Sequence, residues 1–202
     1  MIILTALLAT YFSTSSFSLD NDIEKNIKSY FDALFKKLGS VAEQDPTSEN
    51  FRQIMRRSAQ EIEGLYGATL IDADFVIRQV YYPSHFLARG FDLKKVKELK
   101  DFYRMMQDNP RPQLSEPGHG NIFQPGLIAM RYPVIKNGKL KNIVSIMVRT
   151  KTFLKTVSLD KCRAFQIICR GKLAEQKGRL SRDHKEITLN LPSTQWTIRY
   201  DP

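Results

Sequence analysis

Apolar positions along the chain change period twice, and those changes mark out the elements. From Asp22 the residues Ile23, Ile27, Tyr30, Phe31, Leu34, Phe35 and Leu38 recur at spacings of three and four, the mark of an amphipathic helix, with Gly39 as its stop. Asp45-Pro46 then reads as an N-cap with proline at the first helical position. Phe51, Ile54, Met55, Ala59, Ile62, Leu65 and Tyr66 carry a second helical stripe, closed by Gly67. The period next shortens. Ala68–71 and Val76–82 are rich in β-branched and aromatic residues and flank Asp72-Ala73-Asp74, which predicts a hairpin ended by Pro83. Leu93, Val96, Leu99, Phe102, Tyr103 and Met106 restore a helical pattern behind the capping candidate Asp92. A loop rich in proline and glycine follows from Asn109 to Gly120.

The stretch from Gly126 to Arg149 organises the rest. Asn137-Gly138 supplies a type I′ hairpin turn, since both central positions need φ > 0, and predicts strands 127–135 and 141–149 on either side. In the second strand Ile143, Ser145, Met147 and Arg149 alternate with Asn142, Val144, Ile146 and Val148. One face is therefore strongly apolar and the other is mixed enough to look into a pocket. A short helix is predicted at 153–157. Four further strands follow at 163–169, 172–177, 186–191 and 195–200, with turns at Arg170-Gly171 and Pro192-Ser193-Thr194. The order of elements predicts an α+β fold: an antiparallel sheet preceded by two helices and followed by a β-rich extension.

Composition adjusts this picture in three places. First, Met1–Phe12 is apolar and uncharged but shorter than the roughly twenty residues of a spanning helix, and it lacks the basic start of a secretion signal. The change at Ser13–Asp22 to a polar chain favours a partial signal peptide or membrane anchor over residues 1–19; a buried helix is the other reading. Second, the formal net charge of +10 admits anionic partners. The basic residues are dispersed in pairs such as Lys36-Lys37 and Arg56-Arg57, with no nucleic-acid motif, so nucleic acid is a disfavoured partner. Third, Cys162 and Cys169 fall on one strand, where seven residues span roughly 23 Å against the ~5.5 Å a disulfide needs. Two free thiols are expected.

Chemistry is sparse. His85, His119 and His184 are isolated, and the chain carries no phosphate-binding loop, nucleophile elbow or metal-ligand spacing. The reading is therefore not an enzyme, with no cofactor and no metal site. Arginine and tyrosine inside a sheet do need explaining, because a buried unpaired charge is costly. Arg78, Val80 and Tyr82 share a strand face in the pattern, and Arg131 and Tyr132 lie in the organising hairpin. Either these side chains reach solvent, or Arg78, Tyr82, Arg131 and Tyr132 bind a small molecule in a cleft between the sheet and residues 86–106. In the second case Arg131 would hold a carboxylate bidentately.

The segments GATLIDADFVIRQVYYP, PQLSEPGHG and FQPGLIAMRYPVIKNGKLKNIVSIMVRT, preceded by two helices, resemble the extracytoplasmic PAS-like sensor domains of bacterial receptors, the Cache and CHASE group. EITLNLPSTQWTIRY is similar to the β-rich tail after a CHASE sensory core. The resemblance covers residues 20–202. It implies helices over 20–67, a PAS-like sensory core over 68–158 and a β-rich extension over 159–202. It further implies a membrane-tethered domain at the bacterial inner membrane, facing the periplasm or exterior. Its partner would be a small-molecule ligand, with anions among the candidates, and its output that of a histidine kinase, diguanylate cyclase or chemoreceptor. A homodimer is compatible with the first helix. Asn142 stands where the group usually has glycine after the hairpin, and the full aromatic-and-arginine signature of amino-acid binders is incomplete. The alternative reading is a soluble enzyme or a basic nucleic-acid-binding protein.

Overall fold

The structure is a computed structural model describing the backbone of residues 3–81, 88–118, 120 and 125–202, with side chains from Asp22 onward. Helix α1 runs from Ile3 to Glu43 without a break. Serine and threonine in Ser13–Ser18 are indifferent helix formers but not breakers, so the uncharged stretch and the amphipathic stretch form one rod. Gly39 does not stop it. A Cβ there would stand 3.4 Å from Tyr132 Oη, so the glycine lies where the helix passes over Tyr132 of the sheet.

Helix α2, Phe51–Ser58, is shorter than its stripe predicts. It begins after a turn in which Asn50 Oδ1 accepts from Thr47 N at 2.6 Å, not at Asp45-Pro46. Asp45 instead has φ 48° and places its carboxylate against Lys136 (3.0 Å) and Lys141 (2.5 Å). A 3₁₀ turn, Ala59–Glu61, follows, and Gly64 at φ 73° reverses the chain. Strand β1, Leu65–Asp72, therefore begins at residues that the helical spacing had claimed.

Beyond β1 come β2 (Ile77–Tyr81), two 3₁₀ turns at Leu93–Lys95 and Lys97–Leu99, and helix α3 (Lys100–Asp108). Asp92 does cap, accepting from Lys94 N at 2.9 Å, but it caps a 3₁₀ turn rather than the α-helix. The short strand β3 (Gln113–Leu114) arises inside the expected loop. Strands β4 (Leu127–Lys136) and β5 (Lys139–Arg149) form the organising hairpin, with Asn137 at φ 53° and Gly138 at φ 73° as its turn demands. Helix α4 (Thr150–Thr156) leads into β6 (Ala164–Cys169), β7 (Lys172–Lys177), β8 (Lys185–Leu191) and β9 (Thr194–Asp201). All pairing is antiparallel, in sheets of order β2-β1-β5-β4-β3 and β7-β6-β9-β8. The fold is α+β, as the order of elements predicts. Cys162 and Cys169 are both free thiols.

One core joins α1, α2 and both sheets. At its centre Phe31 meets Trp196 edge-on at 5.3 Å and stacks on Phe153 at 5.2 Å between ring centroids. Ala68, Leu70, Met130, Val144, Ile146 and Val148 supply the sheet face beneath α1. The opposite face carries a smaller core of Ile71, Phe75, Ile77, Val80 and Ile143, covered by Phe102 and Met106 of α3. The first sheet is thus buried on both faces, and polar side chains on the α3 side are enclosed.

Candidate functional site: a cavity beneath the third helix

Strand register builds the site. Val80 lies opposite Thr69, Thr69 opposite Ser145, Ser145 opposite Arg131, and Arg131 opposite Gln113, so one row crosses all five strands of the first sheet. Directly opposed residues of an antiparallel sheet share a face. This row belongs to the face under α3. Thr69, Ser145 and Gln113 are buried, and the Gln113 side-chain amide donates to Phe102 O at 3.3 Å. The Arg131 guanidinium lies 4.3 Å from the centroid of the Phe102 ring. Burial lowers its pKa to about 10, so it remains a cation at neutral pH. Among the described residues no carboxylate pairs with it.

Arg131 opens into a cavity of about 340 Å³ between α3, the segment 113–118 and the second sheet. Its walls are amphoteric, with Glu98, Asp101 and Glu116 facing Arg131 and Arg170. Arg170, in the β6–β7 turn at φ 51°, reaches across from the second sheet to Asp101 (3.4 Å) and Glu116 (4.0 Å). The β8–β9 turn reinforces the same junction: Leu114 N donates to Ser193 Oγ and to Pro192 O, each at 3.2 Å. A ligand here would meet a desolvated guanidinium at one wall and carboxylates at another. That arrangement suits an anion or a zwitterion of modest size.

Of the four residues singled out from the sequence, the structure describes three, and of those Arg131 alone lines the cavity. Tyr132, the next residue on β4, points to the other face as strand alternation requires, and packs against α1 at Gly39. Arg78 is exposed and pairs with Asp72 at 2.6 Å beside the β1–β2 turn. Tyr82 lies outside the described residues, as do His85 and His119. Gln113 was hidden in a proline-rich loop, whereas Ser145 was visible as the polar member of an apolar strand. Arg170 carried no local signal, because only the packing of one sheet on the other brings it to the cavity. Among the described residues no group of three histidine, cysteine, aspartate or glutamate side chains could hold a metal ion.

A long N-terminal helix thus covers one face of the first antiparallel sheet, and an enclosed polar row lies on the other. No family model matches the sequence, and no curated protein matches it. Solved structures do match in fold. The chain is similar to an extracellular ligand-binding receptor from Desulfohalobium retbaense at 14% identity and TM-score 0.69, covering 91% of this chain but 40% of that one. It is also similar to the ligand-binding domain of a Pseudomonas aeruginosa amino acid chemoreceptor in complex with GABA, at 13% identity and TM-score 0.64, covering 89% of this chain and 95% of that one. A third is the ligand-binding domain of a Campylobacter jejuni chemoreceptor in complex with L-valine, at 11% identity and TM-score 0.64, covering 96% of this chain and 94% of that one.

Proposed function

We propose that this chain is the extracytoplasmic small-molecule sensor portion of a bacterial membrane receptor, and that its ligand is a small carboxylate, held by Arg131 in the cavity beneath α3. The observation that carries this reading is the cation itself. A guanidinium half-buried against Phe102 with no carboxylate partner among the described residues is costly to keep unless a ligand completes it. Glu98, at the same cavity and without an ion pair among the described residues, favours a ligand that also carries an amine. The fold neighbours crystallised with GABA and L-valine support that class.

In this reading α1 carries the tether. Ile3–Leu19 contains no charged residue and is helical in continuity with the part of α1 that packs on the core. At about 1.5 Å per residue this stretch measures roughly 26 Å, close to the ~30 Å hydrocarbon core of a bilayer. Among the described residues no helix, α1 included, is long and apolar enough by itself to cross a membrane. Ligand-driven repacking between the first sheet and α1 would then reach the membrane through a single rigid element.

A thermal-shift screen of amino acids, amines and small mono- and dicarboxylates tests the reading. The expected result is stabilisation by one or more carboxylates and none by amines lacking a carboxylate. Stabilisation by amines alone would remove Arg131 from the role of anchor.

A further inference from the structure

The second sheet has two chemically different ends. At one, the β6–β7 and β8–β9 turns face the ligand cavity through Arg170 and Ser193. At the other, β6 and β8 begin and β7 and β9 end, since Phe165 opposes Lys177, Ala164 opposes Asp201 and Lys185 opposes Tyr200. This far end is cationic. The stretches that meet there, 160–165, 177–186 and 199–202, hold 7 basic and 4 acidic residues, a net +3. Local carboxylates do not neutralise it. Asp201 is buried and engaged by Arg163 and Ser181, and Glu186 is paired with Arg199. Asp160 and Asp183 are exposed at this end. Lys161, Arg179 and Arg182 are exposed too, and each lacks an ion pair among the described residues.

The direction of α1 says what this end faces. Phe31 meets Trp196, Gly39 meets Tyr132 and Asp45 meets the β4–β5 hairpin, so α1 climbs from the second sheet onto the first. Phe31 to Leu19 covers about 18 Å of helix, and Trp196 to Asp201 about 17 Å of strand. With the N-terminal part of α1 running beside β9, those lengths would set Asp201 and its cationic neighbours near the level of Leu19, where the uncharged part of α1 ends. At 0.1 M salt the Debye length is about 10 Å, so charges at that level still feel a charged bilayer surface.

We propose that the far end of the second sheet is a docking surface for an anionic phospholipid bilayer, with Lys161, Arg179 and Arg182 meeting head-group phosphates. The orientation rests on the tethered-receptor reading given above; the charge pattern does not. Held this way, the sheet that closes the ligand cavity through Arg170 also rests on the membrane, so a ligand-dependent shift of the second sheet would change its contact with lipid.

Binding of the full 202-residue chain to vesicles of phosphatidylcholine, with and without phosphatidylglycerol, at low and high salt tests this. The variants are Lys161→Gln/Arg179→Gln/Arg182→Gln and the charge-keeping Lys161→Arg/Arg179→Lys/Arg182→Lys, each checked for an unchanged melting profile. The proposal expects an anionic-over-neutral preference that high salt erases. The glutamine variant should lose affinity for anionic vesicles by roughly a hundredfold at low salt, about fivefold per cation, while the charge-keeping variant retains it. Equal binding to both vesicle types overturns the proposal and leaves the tether standing. Preference for anionic vesicles with no binding to neutral ones supports the docking surface and removes the tether. A preference that survives in the glutamine variant, or salt-sensitive binding to duplex DNA tighter than to anionic vesicles, also overturns the proposal. Binding to neither vesicle overturns both readings.

Discussion

At the scale of single residues, Arg131 carries both the account's energy and its risk. Its pKa falls to about 10 because burial disfavours the cation. A cation whose pKa is lowered on folding destabilises the native state at every pH below the folded value, and the penalty is relieved only as pH rises above about 10 towards the ordinary guanidinium value. Arg131→Met, which fills similar space without charge, should therefore be neutral to about 3 kcal/mol stabilising. That difference should stay flat between about pH 5 and 9, since the guanidinium does not titrate there. Denaturant melts of both proteins across that range check the size and the flatness. A large loss of stability would mean that Arg131 serves the fold rather than a ligand. Arg131→Lys keeps the charge but loses the planar two-pronged donor, so it should bind the ligand more weakly than the parent while folding normally.

At the scale of elements, two glycines that look alike in sequence behave differently. Gly39 sits inside α1 with Tyr132 Oη 3.4 Å from where a Cβ would go, an ordinary contact distance. Gly39→Ala should stabilise by roughly 0.5–1 kcal/mol through helix propensity. Gly64 has φ 73° and would bring a Cβ within 2.6 Å of Thr152, so Gly64→Ala should destabilise by more than about 1 kcal/mol. Urea melts of the two variants should move in opposite directions. The same pair explains what could be read from the chain and what could not. The β4–β5 hairpin was legible because Asn137-Gly138 fixes its turn and the flanking residues alternate. The end of α1 was not legible, because whether a glycine stops a helix depends on what packs against it. The second helical stripe ran past its true end because Leu65 and Tyr66 fit either period until Gly64 reverses the chain. At the site, Arg131 stood out as a charge within an apolar strand. Tyr132 was grouped with it although neighbours on a strand face opposite ways.

At the scale of the molecule, the two sheets act through two joints. One is aromatic: Phe31 and Phe153 against Trp196, which is fully buried. Trp196→Ala should cost about 3–5 kcal/mol, the range for losing a large buried aromatic, and thermal melting checks it. A variant within 1 kcal/mol of the parent would show that the sheets do not depend on this joint. The other joint is polar: Arg170 on Asp101 and Glu116 at the cavity mouth. Exposed pairs contribute about 0–1 kcal/mol, so Arg170→Ala should leave stability nearly unchanged. Its effect should fall on the ligand, through a faster off-rate. Equal off-rates in parent and variant would restrict Arg170 to the surface.

Isothermal calorimetry on the best carboxylate from the screen, with the parent chain and Arg131→Met compared at one pH and salt, reaches the central claim most directly. Both proteins should be folded, so the comparison isolates recognition from stability. The variant should lose about 2–5 kcal/mol of binding free energy, the range for truncating one partner of a buried charge pair. An affinity within about twofold of the parent, well under 1 kcal/mol, would contradict that claim and place the ligand elsewhere on the molecule.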